Sequence, residues 1–165
     1  NTGIQRSGST PYGAWTTTSP TNEEVVGKNV VKKNLFDIIC AHRIPYAATA
    51  SVAYPRDLLE KIDKAKNIKG ARFIHIQAPC PTGWGYKPEL TVDLAKMAVE
   101  NGLWYLAEYQ NGKLTVNVKP KTFKPIKEYL NAQRRFRHLK EEDFTEIEKQ
   151  RDQEWELLRR KENEL

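Results

Sequence analysis

Apolar side chains recur along this chain in two periods, and the switches between them predict an alternation of helices and strands. Val31, Leu35, Ile38, Ile39 and His42 fall at helical spacing, so a first helix is predicted over Val30 to His42. Ile44 to Ser51 is short and mostly apolar, as a buried strand is. Pro55 suits the first position of a second helix, whose inner face is Leu58, Leu59, Ile62 and Ala65, and Gly70 stops it. Phe73 to Ala78 is the next strand. Strand, helix and strand within about 35 residues make a βαβ unit, which requires its two strands to run parallel. Val92, Ala95, Met97, Ala98 and Val99 mark a third helix, closed by Gly102. Leu103 to Tyr109 and Leu114 to Val118 flank Asn111-Gly112, a strong hairpin signal. Ile126, Tyr129, Leu130 and Gln133 predict a fourth helix, and Phe144, Ile147, Trp155 and Leu158 a long charged fifth, read as an arm packed on something. Asn1 to Lys28 carries Gly, Pro and the run Thr16-Thr17-Thr18, and reads as a long loop. Loops of that length in a compact domain are usually functional or disordered.

Length and composition narrow the class. The 165 residues suffice for one domain with a core. At 39% hydrophobic and 29% charged, the chain reads as globular. No apolar run approaches the roughly 18 residues of a membrane span, so no membrane partner is expected. No signal peptide is visible, and two distant cysteines cannot make a disulfide framework; a reducing, cytoplasmic setting is expected. The chain opens on Asn1 rather than methionine, and an N-terminal part is expected to be missing.

The net charge of +6 is unevenly spread. Lys119 to Lys140 holds eight basic side chains and one acidic; Glu141 to Leu165 holds five basic and ten acidic. Either the last helix folds back on the basic block, or both are solvated faces, or the block binds nucleic acid. No recognised nucleic-acid motif accompanies it, so nucleic acid is not the expected partner.

Candidate chemistry centres on the loop Pro79-Cys80-Pro81-Thr82-Gly83-Trp84-Gly85, beyond the carboxyl end of a parallel strand, where ligands of open α/β sheets bind. Cys80 has no base beside it in sequence and only Cys40 as a second thiol, so it is either a small residue in a tight loop or one ligand of a site completed by another segment. Cys40, among Phe36, Ile38, Ile39 and Ala41, reads as core. His42 ends a helix, His75 is flanked by Ile74 and Ile76, and His138 sits in the basic block; no pair has metal-ligand spacing. Neither a Walker sequence nor Gly-x-Gly-x-x-Gly is present. The residues alone reach an α/β domain with two unusual loops.

The stretch from Asn1 to Ala14, NTGIQRSGSTPYGA, resembles the β subunits of the 2-oxoacid:ferredoxin oxidoreductase family. Ile44 to Ser51, Ala78 to Trp84 and Arg135 to Leu139 are similar to that family in the same order, so the resemblance covers essentially the whole chain. It implies the C-terminal half of a thiamine diphosphate-binding fold: an α/β domain with a mostly parallel sheet, a hairpin and a C-terminal helical arm. Residues 1–118 would be that half-domain, and 119–165 an extension for subunit docking. The family's Gly-Asp-Gly segment, which carries the Mg²⁺ aspartate, and its clustered cysteines have no match here. Both would belong to the missing N-terminal half, so these residues alone are not expected to turn over. Two assignments carry over by resemblance. Asn1 matches the asparagine that ends the thiamine motif beside the substrate, with Thr2 and Gly3 adjoining the cofactor. Cys80 matches the remote fourth ligand of a [4Fe–4S] cluster, and Cys40 matches none. The implied reaction is oxidative decarboxylation of a 2-oxoacid, pyruvate first, with CoA to acyl-CoA and CO₂, electrons leaving through [4Fe–4S] clusters to ferredoxin. A branched-chain 2-oxoacid or oxalate enzyme is the alternative within the family. Outside it, the alternative is a non-catalytic assembly or nucleic-acid-binding domain.

Overall fold

A computed structural model describes residues 2–163. Asn34 caps α1 (Leu35–Ala41), its side-chain oxygen accepting from the Asp37 amide at 3.0 Å. The helix is therefore shorter than the apolar spacing predicts: Val30 and Val31 are exposed and lie outside it, before the cap. β1 (Tyr46–Ser51) is buried along its whole length. Its Ala47, Ala48 and Ala50 let elements approach from both faces, and α1 and α2 (Pro55–Asn67) pack on it. Lys61 of α2 is 1% exposed and donates to the Thr49 carbonyl and to Asp57, so its charge is paired inside.

β2 (Arg72–Gln77) lies parallel to β1 in the register Tyr46↔Arg72 to Ser51↔Gln77, as the βαβ pattern requires. A single helical turn, α3 (Pro81–Trp84), follows where the sequence reads as loop, and then α4 (Thr91–Glu100). β3 (Ala107–Gln110) and β4 (Lys113–Val116) form the predicted hairpin, with Asn111 and Gly112 both at positive φ, 49° and 91°. That combination is the turn matching strand twist, and Gly at its second position avoids the Cβ clash. The sheet order is β2-β1-β3-β4. The expectation of a mostly parallel sheet holds for the β1–β2 pair alone; β1–β3 and β3–β4 are antiparallel, and the sheet is mixed. The tight turn accounts for the second pair, and docking of the hairpin on the free side of β1 for the first.

After α5 (Ile126–Asn131) and a short 3₁₀ turn over Arg134–Phe136, α6 (Glu141–Asn163) lays one stripe across two hydrophobic clusters. Phe144 and Ile147 join Leu94, Val99, Trp104 and Leu130; Trp155 and Leu158 join Phe36, Ala47, Ala107 and Val116. The arm's apolar face is thus consumed within the chain, and its outer side carries Leu157, 49% exposed. The basic block is partly neutralised by the same fold-back: Lys119 pairs with Glu162 at 2.8 Å and Lys127 with Glu141.

No helix among the described residues is long and apolar enough to cross a membrane.

Candidate functional site

Pro79 and Pro81 bracket Cys80 just after β2, so little freedom remains in its backbone. Cys80 is the extended N-cap of α3, and its carbonyl accepts from the Trp84 amide at 3.0 Å. Gly85 ends the turn in the left-handed region and donates to Pro81 at 2.9 Å, while its carbonyl accepts from the Arg134 amide at 3.0 Å. The cysteine is thereby held half-buried on a rigid turn.

The N-terminal loop comes back onto this turn. Gly3 is buried with φ +76°, and a Cβ there would stand 2.6 Å from the Gly83 carbonyl oxygen. A Cβ on Gly83 would stand 1.5 Å from the Thr2 carbonyl oxygen, so only glycines permit the two backbones to meet. Thr2 and Gly3, predicted to adjoin the cofactor, therefore lie against the turn that carries Cys80. Thr2 is exposed. Asn1 lies outside the described residues. The loop is stitched down along its length: Lys28, 2% exposed, donates to the Gly8 and Thr10 carbonyls, and the Trp15 amide donates to the Arg135 carbonyl at 2.9 Å.

Arg135 is the functional candidate that sequence reading missed, submerged in a run with the exposed Arg134 and Arg137. It is 2% exposed. Its guanidinium stacks on Trp84, 3.9 Å from the ring centroid, and lies 4.8 Å from that of Phe136. Nε donates to Gln133 Oε1 at 3.0 Å, and the Gln133 amide donates to the Tyr129 carbonyl at 2.8 Å. Nη1 is buried with no hydrogen-bond partner. Burial pulls its pKa down to about 10. No signal in the sequence distinguishes this arginine from its neighbours.

Beside the turn opens a cavity of about 250 Å³, lined in part by Tyr12, Lys32, His75, Trp84, Trp104 and Arg135. It adjoins the carboxyl end of β2, where the topology predicts a ligand site, but Cys80 is not among its lining residues. Lys32 Nζ lies 4.6 Å over the Trp104 ring, and burial pulls its pKa down to about 8 although Glu154 opposes the shift. His75 meets Trp104 edge-on with ring centroids 4.9 Å apart; burial, then the Lys32 charge, push it down to about 4. It is an uncharged packing group near neutral pH. Glu154 accepts a hydrogen bond from Asn34, whose amide also donates to the Tyr105 hydroxyl at 2.9 Å.

Cys40 is half-buried on α1, and burial pushes its thiol up to about 12, Asp37 adding to the shift. A thiol held protonated is a poor metal ligand. Among the described residues no group of three or more His, Cys, Asp or Glu side chains could hold a metal ion. What the residues can offer is a single ligand, Cys80, on a fixed turn beside a buried guanidinium with an unsatisfied donor. That donor set fits one corner of a thiolate-ligated cluster whose other ligands come from outside these residues. Neither Thr2 nor Gly3 is among the residues lining the cavity of about 250 Å³.

No family model matches the chain. Curated relatives do. Pyruvate synthase subunit PorB of Methanothermobacter marburgensis is 53% identical over 148 residues, which are 90% of this chain and 51% of that one. Subunit PorB of Methanocaldococcus jannaschii is 48% identical over 158 residues, 96% of this chain and 53% of the relative. Ketoisovalerate oxidoreductase subunit VorB of Pyrococcus abyssi is 49% identical over 162 residues, 97% and 52% respectively. The chain spans about half the length of the curated relatives it matches.

Proposed function

We propose that this chain, which matches the β subunit of a 2-oxoacid:ferredoxin oxidoreductase, supplies one side of the thiamine diphosphate and [4Fe–4S] centre of a pyruvate synthase. The observation that carries the reading is the meeting of residues 2–3 with the Cys80 turn. It joins, through backbone contact, the segment that resembles the end of a thiamine motif to the cysteine that resembles a remote cluster ligand.

Each residue has a stated role. The Asn1 side-chain amide donates a hydrogen bond to a carboxylate or carbonyl oxygen of the 2-oxoacid. Thr2 and Gly3 carry the chain from that position to the turn and fix its distance. Cys80 supplies one thiolate, and the remaining thiolates come from the other half of the subunit. When bound, thiamine diphosphate with Mg²⁺ would supply the electron sink for decarboxylation, and a [4Fe–4S] cluster held in part by Cys80 would supply a one-electron acceptor on the way to ferredoxin. The protein's own share is positioning and the exclusion of water around buried groups. Other subunits supply CoA contacts and the rest of the pocket, docking through residues 119–165, in a reducing cytoplasm. The lysine pairs within that block argue against nucleic acid as its partner.

A second reading, a branched-chain 2-oxoacid as substrate, is supported by the VorB relatives, which match at nearly the same identity. One preparation tests both. The native complex, purified anaerobically, is expected to contain iron, sulfide and thiamine, and to form an acyl-CoA from pyruvate faster than from 3-methyl-2-oxobutanoate. A colourless, thiamine-free complex contradicts the enzyme reading; reversed substrate preference replaces the first reading with the second.

A further inference from the structure

Taking an unpaired guanidinium out of water costs several kcal/mol, so a buried arginine normally faces a carboxylate. Arg135 faces none: among the described residues, no Asp or Glu oxygen makes an ion pair with it. Its partners are the neutral Gln133 amide oxygen, the neutral Tyr129 hydroxyl and two aromatic rings, and Nη1 has no hydrogen-bond partner. The acidic groups close enough to act on its charge are Tyr129, Tyr86 and Cys80. Burial pushes both phenols above their ordinary value, which leaves them neutral. The thiol is the one neighbour that carries a negative charge when it serves as a ligand.

The two groups are also mechanically joined. Arg135 covers the face of Trp84, and the Trp84 amide closes the turn onto the Cys80 carbonyl. Arg134 donates its own amide to Gly85 at the turn's other end. The guanidinium is therefore fixed relative to Cys80 by one turn of helix rather than by a mobile loop.

We infer that Arg135 is the fixed counter-charge of the anionic centre anchored at Cys80, a positioning residue that holds the turn and favours the more reduced state of a cluster ligated there. The inference rests on the proposed ligand role of Cys80. Reduction adds one negative charge to a thiolate-ligated cluster, and a nearby buried cation stabilises that charge with little screening.

The test uses the anaerobic native complex carrying Arg135→Met, Arg135→Gln or Arg135→Lys, with iron content and an EPR-monitored redox titration as readouts. Loss of the charge in Arg135→Met should move one cluster to a more negative potential, and Arg135→Lys should restore most of the wild-type value. Arg135→Gln, which keeps a donor toward Gln133, gives the same comparison if the methionine variant does not assemble. An unchanged potential at full iron content in the neutral variants overturns the inference alone. So does a lysine variant that behaves like the neutral ones, since shape rather than charge would then be the cause. A wild-type complex without any cluster overturns this inference together with the reading it rests on.

Discussion

His75 shows how one side chain's surroundings become a property of the whole chain. It is an imidazole on β2, edge-on to Trp104, depressed from its ordinary 6.5 to about 4 by burial and then by Lys32. As pH falls below 6.5 the unfolded chain takes up a proton that the folded chain refuses. Stability contributed by the neutral imidazole is therefore complete above pH 6.5, declines between 6.5 and about 4, and is flat below. His75→Phe should remove this part of the pH dependence, so that urea unfolding at pH 4.5 and 7 differs by about 1–2 kcal/mol less in the variant than in the wild type. Parallel pH profiles for the two proteins would contradict the assignment. At this scale the sequence was only partly legible. The two cysteines could be told apart, because Cys40 sits among apolar helix positions and Cys80 between prolines. Arg135 could not be told from Arg134 and Arg137, because which side chains a 3₁₀ turn buries, here Arg135 and Phe136, is set by tertiary packing, for Arg135 by Trp84.

Among the elements, α6 carries the most consequence for stability. Its Phe144, Ile147, Trp155 and Leu158 recur at helical spacing and were readable as a stripe. What the stripe packs against was not readable: it closes two clusters of its own chain, with the Trp155 indole donating to the Gly102 carbonyl at 2.8 Å. Arg151, on the same helix, stacks over Phe123 at 4.8 Å. Trp155→Ala removes a buried ring and leaves the Gly102 carbonyl without that donor, and should cost about 3–5 kcal/mol in chemical denaturation. A loss below about 1 kcal/mol would mean that the helix is not part of the folded core. The hairpin, the βαβ unit and α4 were legible from turn residues and periodicity. The mixed orientation of the sheet was not, because which edge of β1 the hairpin joins is decided by long-range packing and leaves no mark in local sequence. The start of α1 was misread for a related reason: Val30 and Val31 extend the apolar pattern, but the capping asparagine at 34 sets the boundary.

Over the whole molecule, two loops far apart in sequence are drawn together by one glycine-to-glycine backbone contact, and a buried cation stacks on Trp84 of the turn that carries Cys80. Nothing in periodicity or composition predicts that meeting, because it is set by how two loops far apart in sequence pack; the resemblance of Asn1 to Ala14 and of Ala78 to Trp84 to one enzyme family singles out both loops without bringing them together. Outside that site, the charge asymmetry is partly internal: three of the eight basic side chains of the block, Lys119, Lys124 and Lys127, are paired with Glu162, Glu100 and Glu141. The central claim is that Cys80, and not Cys40, gives a thiolate to a cluster shared with the rest of the subunit. It is tested most directly by counting iron in the anaerobically purified complex carrying Cys80→Ala or Cys40→Ala. The account predicts that the Cys80 variant loses the iron of one cluster, or holds it so loosely that gel filtration strips it, while the Cys40 variant keeps the wild-type content. Wild-type iron in the Cys80 variant would contradict it.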